Sequence, residues 1–158
     1  MLEEKNFYLT RQGLKKIKKE YEELKRIKLS KTKGEAPAIL VSEDVNPEYI
    51  ALQEDLGLLD IRLAEIEAIL KNASIIKNPA KTAQASVGLG ATVLVNINGK
   101  DSKFTIVGTL EADPDRGMIS NESPVGKILL GKKTGDLIKI DPSGKINCKI
   151  KKIAYNIS

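Results

Sequence analysis

The chain has 158 residues, 41% hydrophobic and 30% charged, with a formal net charge of +5. That length suits one ordinary domain or two small ones, and the composition is that of a water-soluble protein. Cys148 is the only cysteine and there is no His, which excludes an internal disulfide, a cysteine zinc site, an imidazole base and a serine triad.

Met1-Leu2-Glu3-Glu4-Lys5 lacks the apolar centre of a secretory signal. No apolar run approaches the roughly 20 residues of a membrane span, so a cytoplasmic protein without a membrane partner is expected. The charge is unevenly spread. Arg11 to Lys33 holds ten Lys or Arg against three Glu, whereas Gly34 to Ile61 holds seven acids and no Lys or Arg. A basic body with one acidic zone points to a polyanionic partner and to a separate task for the acids.

Residues 10 to 72 carry a helical period. Thr10 is an N-cap, and an apolar seam follows at Leu14, Ile17, Tyr21 and Leu24. Gly34 and Pro37 end this first helix. A second begins with Asn46 as cap and Pro47 at the first helical position, where a missing N–H costs nothing. Its seam is Leu52, Leu56, Leu59, Leu63, Ile66 and Leu70, the alternating four-and-three spacing of a heptad. Asn72 is read as a left-handed stop. Paired antiparallel, Leu14 faces Leu70, Ile17 faces Ile66, Tyr21 faces Leu63 and Leu24 faces Leu59. The chain then folds back near residue 42. Further out, Lys28 and Lys31 oppose Leu56 and Leu52, so the far end should pack less well, with lysine stems covering leucine. A helix over 47–72 reaches roughly 39 Å at about 1.5 Å per residue. Glu43 and Asp44 sit at the far end, beside an apolar run, Ala38-Ile39-Leu40-Val41, whose place at a tip the sequence does not explain.

After Asn72 the period changes. Residues 78–84 read as a linker. Ala91 to Ile97 is a strand, Asn98-Gly99 a hairpin turn, and Lys103 to Leu110 its partner. Asp113 to Gly117 is a loop. Ser123 caps a short helix with Pro124 at its first position, ending at Gly131. Leu137 to Ile140 and Lys145 to Tyr155 are strands about an Asp141-Pro142-Ser143-Gly144 turn. Cys148 alternates with Ile146 and Ile150 and is expected in the core. The fold class is α+β: an antiparallel coiled-coil hairpin, then a small antiparallel sheet with one short helix.

From the residues alone, the heptad seam serves an ordinary hairpin, a dimerisation coil or a free-standing arm. An acid-rich end is hard to bury, which favours the arm. Glu43 and Asp44 are either acids favoured beside a helix N-terminus or carboxylates delivered to a remote cation, for which Mg²⁺ suits oxygen ligands. Ser123 to Gly126 is either only a helix start or a docking surface.

The order of parts resembles the GreA/GreB transcript cleavage factors of bacterial RNA polymerase over nearly the whole chain. "YLTRQGLKKIKKEYEELK" resembles that family's first helix. "NPEYIALQEDLGLLDIRLAEIEAILKNASII" resembles its second. "LGATVLVNI", "FTIVGTLEAD", "ISNESPVGKILLGKKTGD" and "KIKKIAY" resemble pieces of its C-terminal domain. The resemblance implies residues 1–77 as the hairpin with an acidic tip near 42–46, and 85–158 as an FKBP-like, polymerase-docking domain. It implies a monomeric accessory factor, not an enzyme by itself, with RNA polymerase, its secondary channel and rim, and the nascent RNA 3′ end as partners. DNA binding goes with that setting. The tip acids would hold Mg²⁺ jointly with the polymerase. Glu122, Ser123, Pro124 and Gly126 would be the docking residues.

The tip departs from the family pattern, Gly-Asp-x-x-Glu-Asn-x-Glu-Tyr. Here Glu43-Asp44-Val45-Asn46-Pro47-Glu48-Tyr49 is shorter by two residues. Asp44 matches the Asp, and Glu43 stands in for the missing Glu. Three rival readings follow: an anti-Gre inhibitor of the channel, a peptidyl-prolyl isomerase using the FKBP-like half, and an arm that binds RNA directly.

Overall fold

The structure, a computed structural model, describes residues 5–157. The stretch Met1 to Glu4, read above as unlike a secretory signal, and Ser158 lie outside it. The chain forms two compact units, Leu14–Asn72 and Met1–Gly13 with Ala73–Ser158. The sequence had placed a boundary at 77 and a linker over 78–84. The chain divides at Asn72 because β1 (Phe7–Leu9) pairs in parallel with β4 (Ala73–Ile75), Phe7 opposite Ala73. Residues 78–84 hold a single 3₁₀ turn, Lys81–Ala83.

The helical unit contains most of α1 (Arg11–Thr32) and all of α2 (Pro47–Lys71). Bonds between the two helices run in opposite numerical order, which shows an antiparallel pair. Tyr21 Oη donates to Glu67 at 2.7 Å, Lys28 Nζ to Asp60 at 2.5 Å, Lys31 Nζ to Asp55 at 2.8 Å and Arg62 Nε to Glu20 at 2.7 Å. These polar pairs lie beside the apolar seam. Leu63 and Ile66 are buried; Leu14, Ile17, Tyr21, Leu24, Leu52, Leu56 and Leu59 are half-buried. Lys28 is half-buried too, so its stem covers the seam where leucine is missing. Exposed ion pairs contribute only about 0.2–1 kcal/mol each, against about 1.5–3 for each fully buried aliphatic side chain. The seam therefore holds the hairpin, and burial fades toward the far end as the lysines predict.

The N-cap of α2 forms as expected: Asn46 Oδ1 accepts from the Glu48 N–H at 3.0 Å. Its C-terminus does not. Asn72 has φ −109°, outside the left-handed region, and its N–H instead donates back to the Ala68 and Ile69 carbonyls. The helix ends because the next residues are drawn into the β1–β4 pair.

The sheet unit has five strands in the order β7-β6-β5-β9-β8: β5 Ala91–Ile97, β6 Lys100–Val107, β7 Met118–Ser120, β8 Leu137–Lys139 and β9 Asn147–Tyr155. Asn98 and Gly99 have φ of 50° and 86°, both positive as a type I′ hairpin turn requires. The expected all-antiparallel sheet is corrected at one edge, since β7 runs parallel to β6. The strand expected to reach Leu110 stops at Val107. There the Tyr8 carbonyl of β1 lies so close to Gly108 that any Cβ would collide with it.

One sheet face forms the core, with Ala91, Val93 and Val95 from β5 beside Cys148, Ile150 and Tyr155 from β9. A bulge in the β9 pairing, opposite Leu94 and Val95, leaves Lys151 unpaired. It shifts the alternation by one, so that Ile150, Ile153 and Tyr155 all contribute to one core. Burial raises the Cys148 thiol above its ordinary range, as suits a small core hydrophobe. α3 (Pro124–Leu129) covers this core with Leu129.

Candidate functional site

The acidic tip is a miniature hairpin. β2 (Leu40–Val41) pairs antiparallel with β3 (Asp44–Val45), Leu40 opposite Val45 and Val41 opposite Asp44. Ser42 and Glu43 form the two-residue turn between them. Ser42 has φ 58° and Glu43 is not in the positive range, the pattern of a type II′ turn. Glycine would adopt that φ without strain, so Ser42 holds a conformation that is costly for an L residue.

Asn46 fixes this hairpin to the helix. Its side chain is buried, 8% exposed, and it uses both ends. Oδ1 caps α2, while Nδ2 donates to the Ala38 carbonyl at 2.8 Å. Its backbone N–H donates to the Ile39 carbonyl at 2.8 Å. The sequence identified the cap; the second half of the role depends on a segment eight residues upstream and was not legible.

Glu43 and Asp44 are both exposed. The turn carries Glu43 and the first strand residue after it carries Asp44, so the acids lie at the extreme end of the hairpin. Among the described residues, neither makes an ion pair, and no group of three or more metal-binding side chains occurs. Two hard oxygen donors suit Mg²⁺, but too few are present to enclose it. The tip can supply part of a coordination sphere that another molecule completes.

The candidates near α3 divide by exposure. Ser123 caps α3, its Oγ accepting from the Gly126 N–H at 3.0 Å and donating to the Ser120 carbonyl at 2.7 Å. Gly126 is buried, and a Cβ there would collide with the Ser120 carbonyl. It lets α3 pack on β7 and presents no surface. Glu122 and Pro124 are exposed. Glu122 accepts from Thr109 Oγ1 at 2.6 Å, and Lys5 Nζ lies 3.8 Å away. The Thr109 bond first, and the Lys5 charge second, hold its carboxyl below the usual glutamate range. Thr109 and Lys5 had not been singled out from sequence.

A proline-peptide site in the FKBP-like half would draw on its two aromatic residues after position 85, Phe104 and Tyr155. Phe104 packs against the core, and Tyr155 is buried with its hydroxyl donated to the Ser86 carbonyl at 2.6 Å. No helix among the described residues is long and apolar enough to cross a membrane.

Comparison with known proteins matches both units. Residues 7–75 match the family described as transcription elongation factor, N-terminal. Residues 82–155 match transcription elongation factor, GreA/GreB, C-term. Transcription elongation factor GreA of Lactococcus lactis subsp. cremoris is 38% identical, covering 95% of this chain and 99% of the relative. That of Thermoanaerobacter pseudethanolicus is also 38% identical, covering 92% and 95%. Among solved structures, GreA factor homolog 1 of Thermus thermophilus is 25% identical over 95% of this chain and 99% of its own, with a TM-score of 0.41. The two family matches and the near-full-length relatives establish that the chain belongs to the GreA/GreB family of transcription elongation factors, accessory proteins of transcription rather than enzymes in their own right.

Proposed function

We propose that this protein binds RNA polymerase and stimulates Mg²⁺-dependent endonucleolytic cleavage of backtracked nascent RNA, reaching the active centre through the secondary channel. The observation that carries the reading is the pair of unpartnered carboxylates, Glu43 and Asp44, held at the end of a two-helix arm. Their donor set is incomplete for a cation alone and suited to one shared with a polymerase and RNA phosphates. When bound, Mg²⁺ supplies charge neutralisation at the attacked phosphodiester and activation of a water. The chain's own part is to present the carboxylates. The Ser42-Glu43 turn sets their direction, and Asn46 ties that turn to α2. Glu122 and Pro124, exposed on the sheet unit, are the candidates for holding the polymerase's outer surface.

A second reading has its own support. The tip is two residues shorter than the family pattern, and only Asp44 has a direct counterpart there, which favours an inhibitor that occupies the channel without stimulating cleavage. One experiment separates the two. Stalled elongation complexes with 5′-labelled RNA are incubated with Mg²⁺ and the wild-type protein or Asp44→Ala. Shortened RNA with wild type, lost with Asp44→Ala while polymerase binding persists, supports cleavage. No shortening, with slowed nucleotide addition, supports the inhibitor. Wild-type cleavage by Asp44→Ala removes Asp44 from the metal-holding role.

A further inference from the structure

The tip carries a feature that cation delivery does not use. Ile39, Leu40, Val41 and Val45 are 59%, 56%, 56% and 52% exposed, four branched aliphatic side chains at the acidic end of the arm. Monomeric proteins seldom cluster such residues in water without a partner. The register shows how they are displayed. Val41 pairs with Asp44 and Leu40 with Val45. Successive strand residues point to opposite faces, so Val41 shares a face with Asp44 while Leu40 and Val45 share the other. Each face carries aliphatic surface, and both are open.

The geometry points to a two-sided apolar blade that enters a cleft with apolar walls in RNA polymerase, beside the cation the acids address. This rests on the polymerase-binding reading above. Two features on the page select that occupant. Val41 is the cross-strand neighbour of Asp44, so any surface that meets the carboxylate also meets the valine. A second copy of this chain is disfavoured, because pairing two tips would bring Glu35, Glu43, Asp44 and Glu48 against their counterparts with no Lys or Arg between residues 34 and 61 to offset them. A blade open on both faces fits a slot, whereas a flat docking surface would leave one face in water. The division of labour is that the aliphatic residues set affinity and the carboxylates act on the bound complex.

The test compares wild type, Asp44→Ala and the triple variant Leu40→Thr/Val41→Thr/Val45→Thr, which has strand-favouring β-branched side chains at all three positions. Stalled polymerase complexes are titrated with each protein, reading occupancy by competition with a labelled wild-type tracer and RNA shortening by gel. For the triple variant, half-occupancy is expected at a concentration at least about tenfold higher, since several buried aliphatic groups are lost. The effect at saturation, cleavage or inhibition, should stay at the wild-type level, and the thermal melt should be unchanged. Asp44→Ala is expected to show the converse, normal half-occupancy with loss of cleavage. Unchanged half-occupancy for the triple variant overturns the blade and leaves the cleavage reading standing. Normal affinity with a reduced plateau also overturns it, since the residues then act on the chemistry. Wild type sedimenting as a dimer that the triple variant abolishes overturns it in favour of a second copy. Failure of wild type to bind polymerase overturns both readings.

Discussion

Glu111 completes the N-terminal cap of α1 by binding Thr10, the cap residue 101 positions earlier. Its Oε2 accepts from the Thr10 N–H and its Oε1 from the Thr10 hydroxyl, each at 2.6 Å. Thr10 Oγ1 in turn accepts from the Gly13 N–H at 3.0 Å. In a local capping box, a Glu three residues into the helix reaches back to the cap's N–H. Here that position is Gly13, and Glu111 arrives from the 3₁₀ turn Thr109–Glu111 to do the same work. A Cβ at Gly13 would meet the Glu111 carboxylate, which could stay on Thr10 only if residue 13 has no side chain.

This arrangement predicts a change of sign. Gly→Ala inside a helix ordinarily stabilises by about 1 kcal/mol. In the wild-type background, Gly13→Ala should destabilise, because Glu111 must swing away and give up its bonds to Thr10. Glu111→Ala alone should cost about 1–2 kcal/mol through the lost cap. Added to Glu111→Ala, Gly13→Ala should recover stability. Urea unfolding of the two single variants and the double variant measures this; additive costs would show that the two sites are uncoupled.

Asn46 separates the integrity of the helix from the order of the tip. Asn46→Asp keeps an acceptor for the Glu48 N–H but cannot donate to the Ala38 carbonyl as a carboxylate. The helix cap is kept, at a cost of about 1–3 kcal/mol for the buried carboxylate left facing the Ala38 carbonyl, while the tip amides, including that of Asn46 itself, exchange faster with solvent. On the function proposed above, stimulated cleavage should fall, and polymerase affinity should fall with it, because the loosened hairpin also carries Leu40, Val41 and Val45. Asn46→Ala removes both bonds and should lower stability as well. Hydrogen exchange by NMR resolves the two effects; equal protection of the tip in wild type and Asn46→Asp would remove Asn46 from the positioning role.

Glu122 makes a prediction in pH. Its carboxyl is held below the usual range by the Thr109 hydroxyl and then by Lys5, so the unfolded chain takes up a proton at higher pH than the folded one. The stabilisation is present above the unfolded value and is lost as pH falls through the lowered folded value. Thr109→Val should raise the Glu122 midpoint toward the ordinary glutamate range, followed by NMR of the side-chain carboxyl carbon. An unmoved midpoint would leave the Thr109 bond without a part in holding it.

Much of the fold was legible because it is written in short windows. The heptad leucines, the Asn46-Pro47 and Ser123-Pro124 caps and the Asn98-Gly99 turn each act over a few residues, where spacing and backbone preference decide the outcome. The paired strands at Leu40–Val41 and Asp44–Val45, two residues each, could not be read, since two residues show no period.

What the sequence determined by itself is the pair of helices, the seam between them and the alternation that makes the sheet's core face. Only the tertiary structure decided that β1 joins β4, that β7 runs parallel to β6, that Glu111 caps a helix begun at Arg11, and that Asn46 holds Ala38 as well as α2. The physical reason is that a hydrogen bond between distant segments depends on which backbone groups the topology brings within about 3 Å, and no local pattern records that meeting.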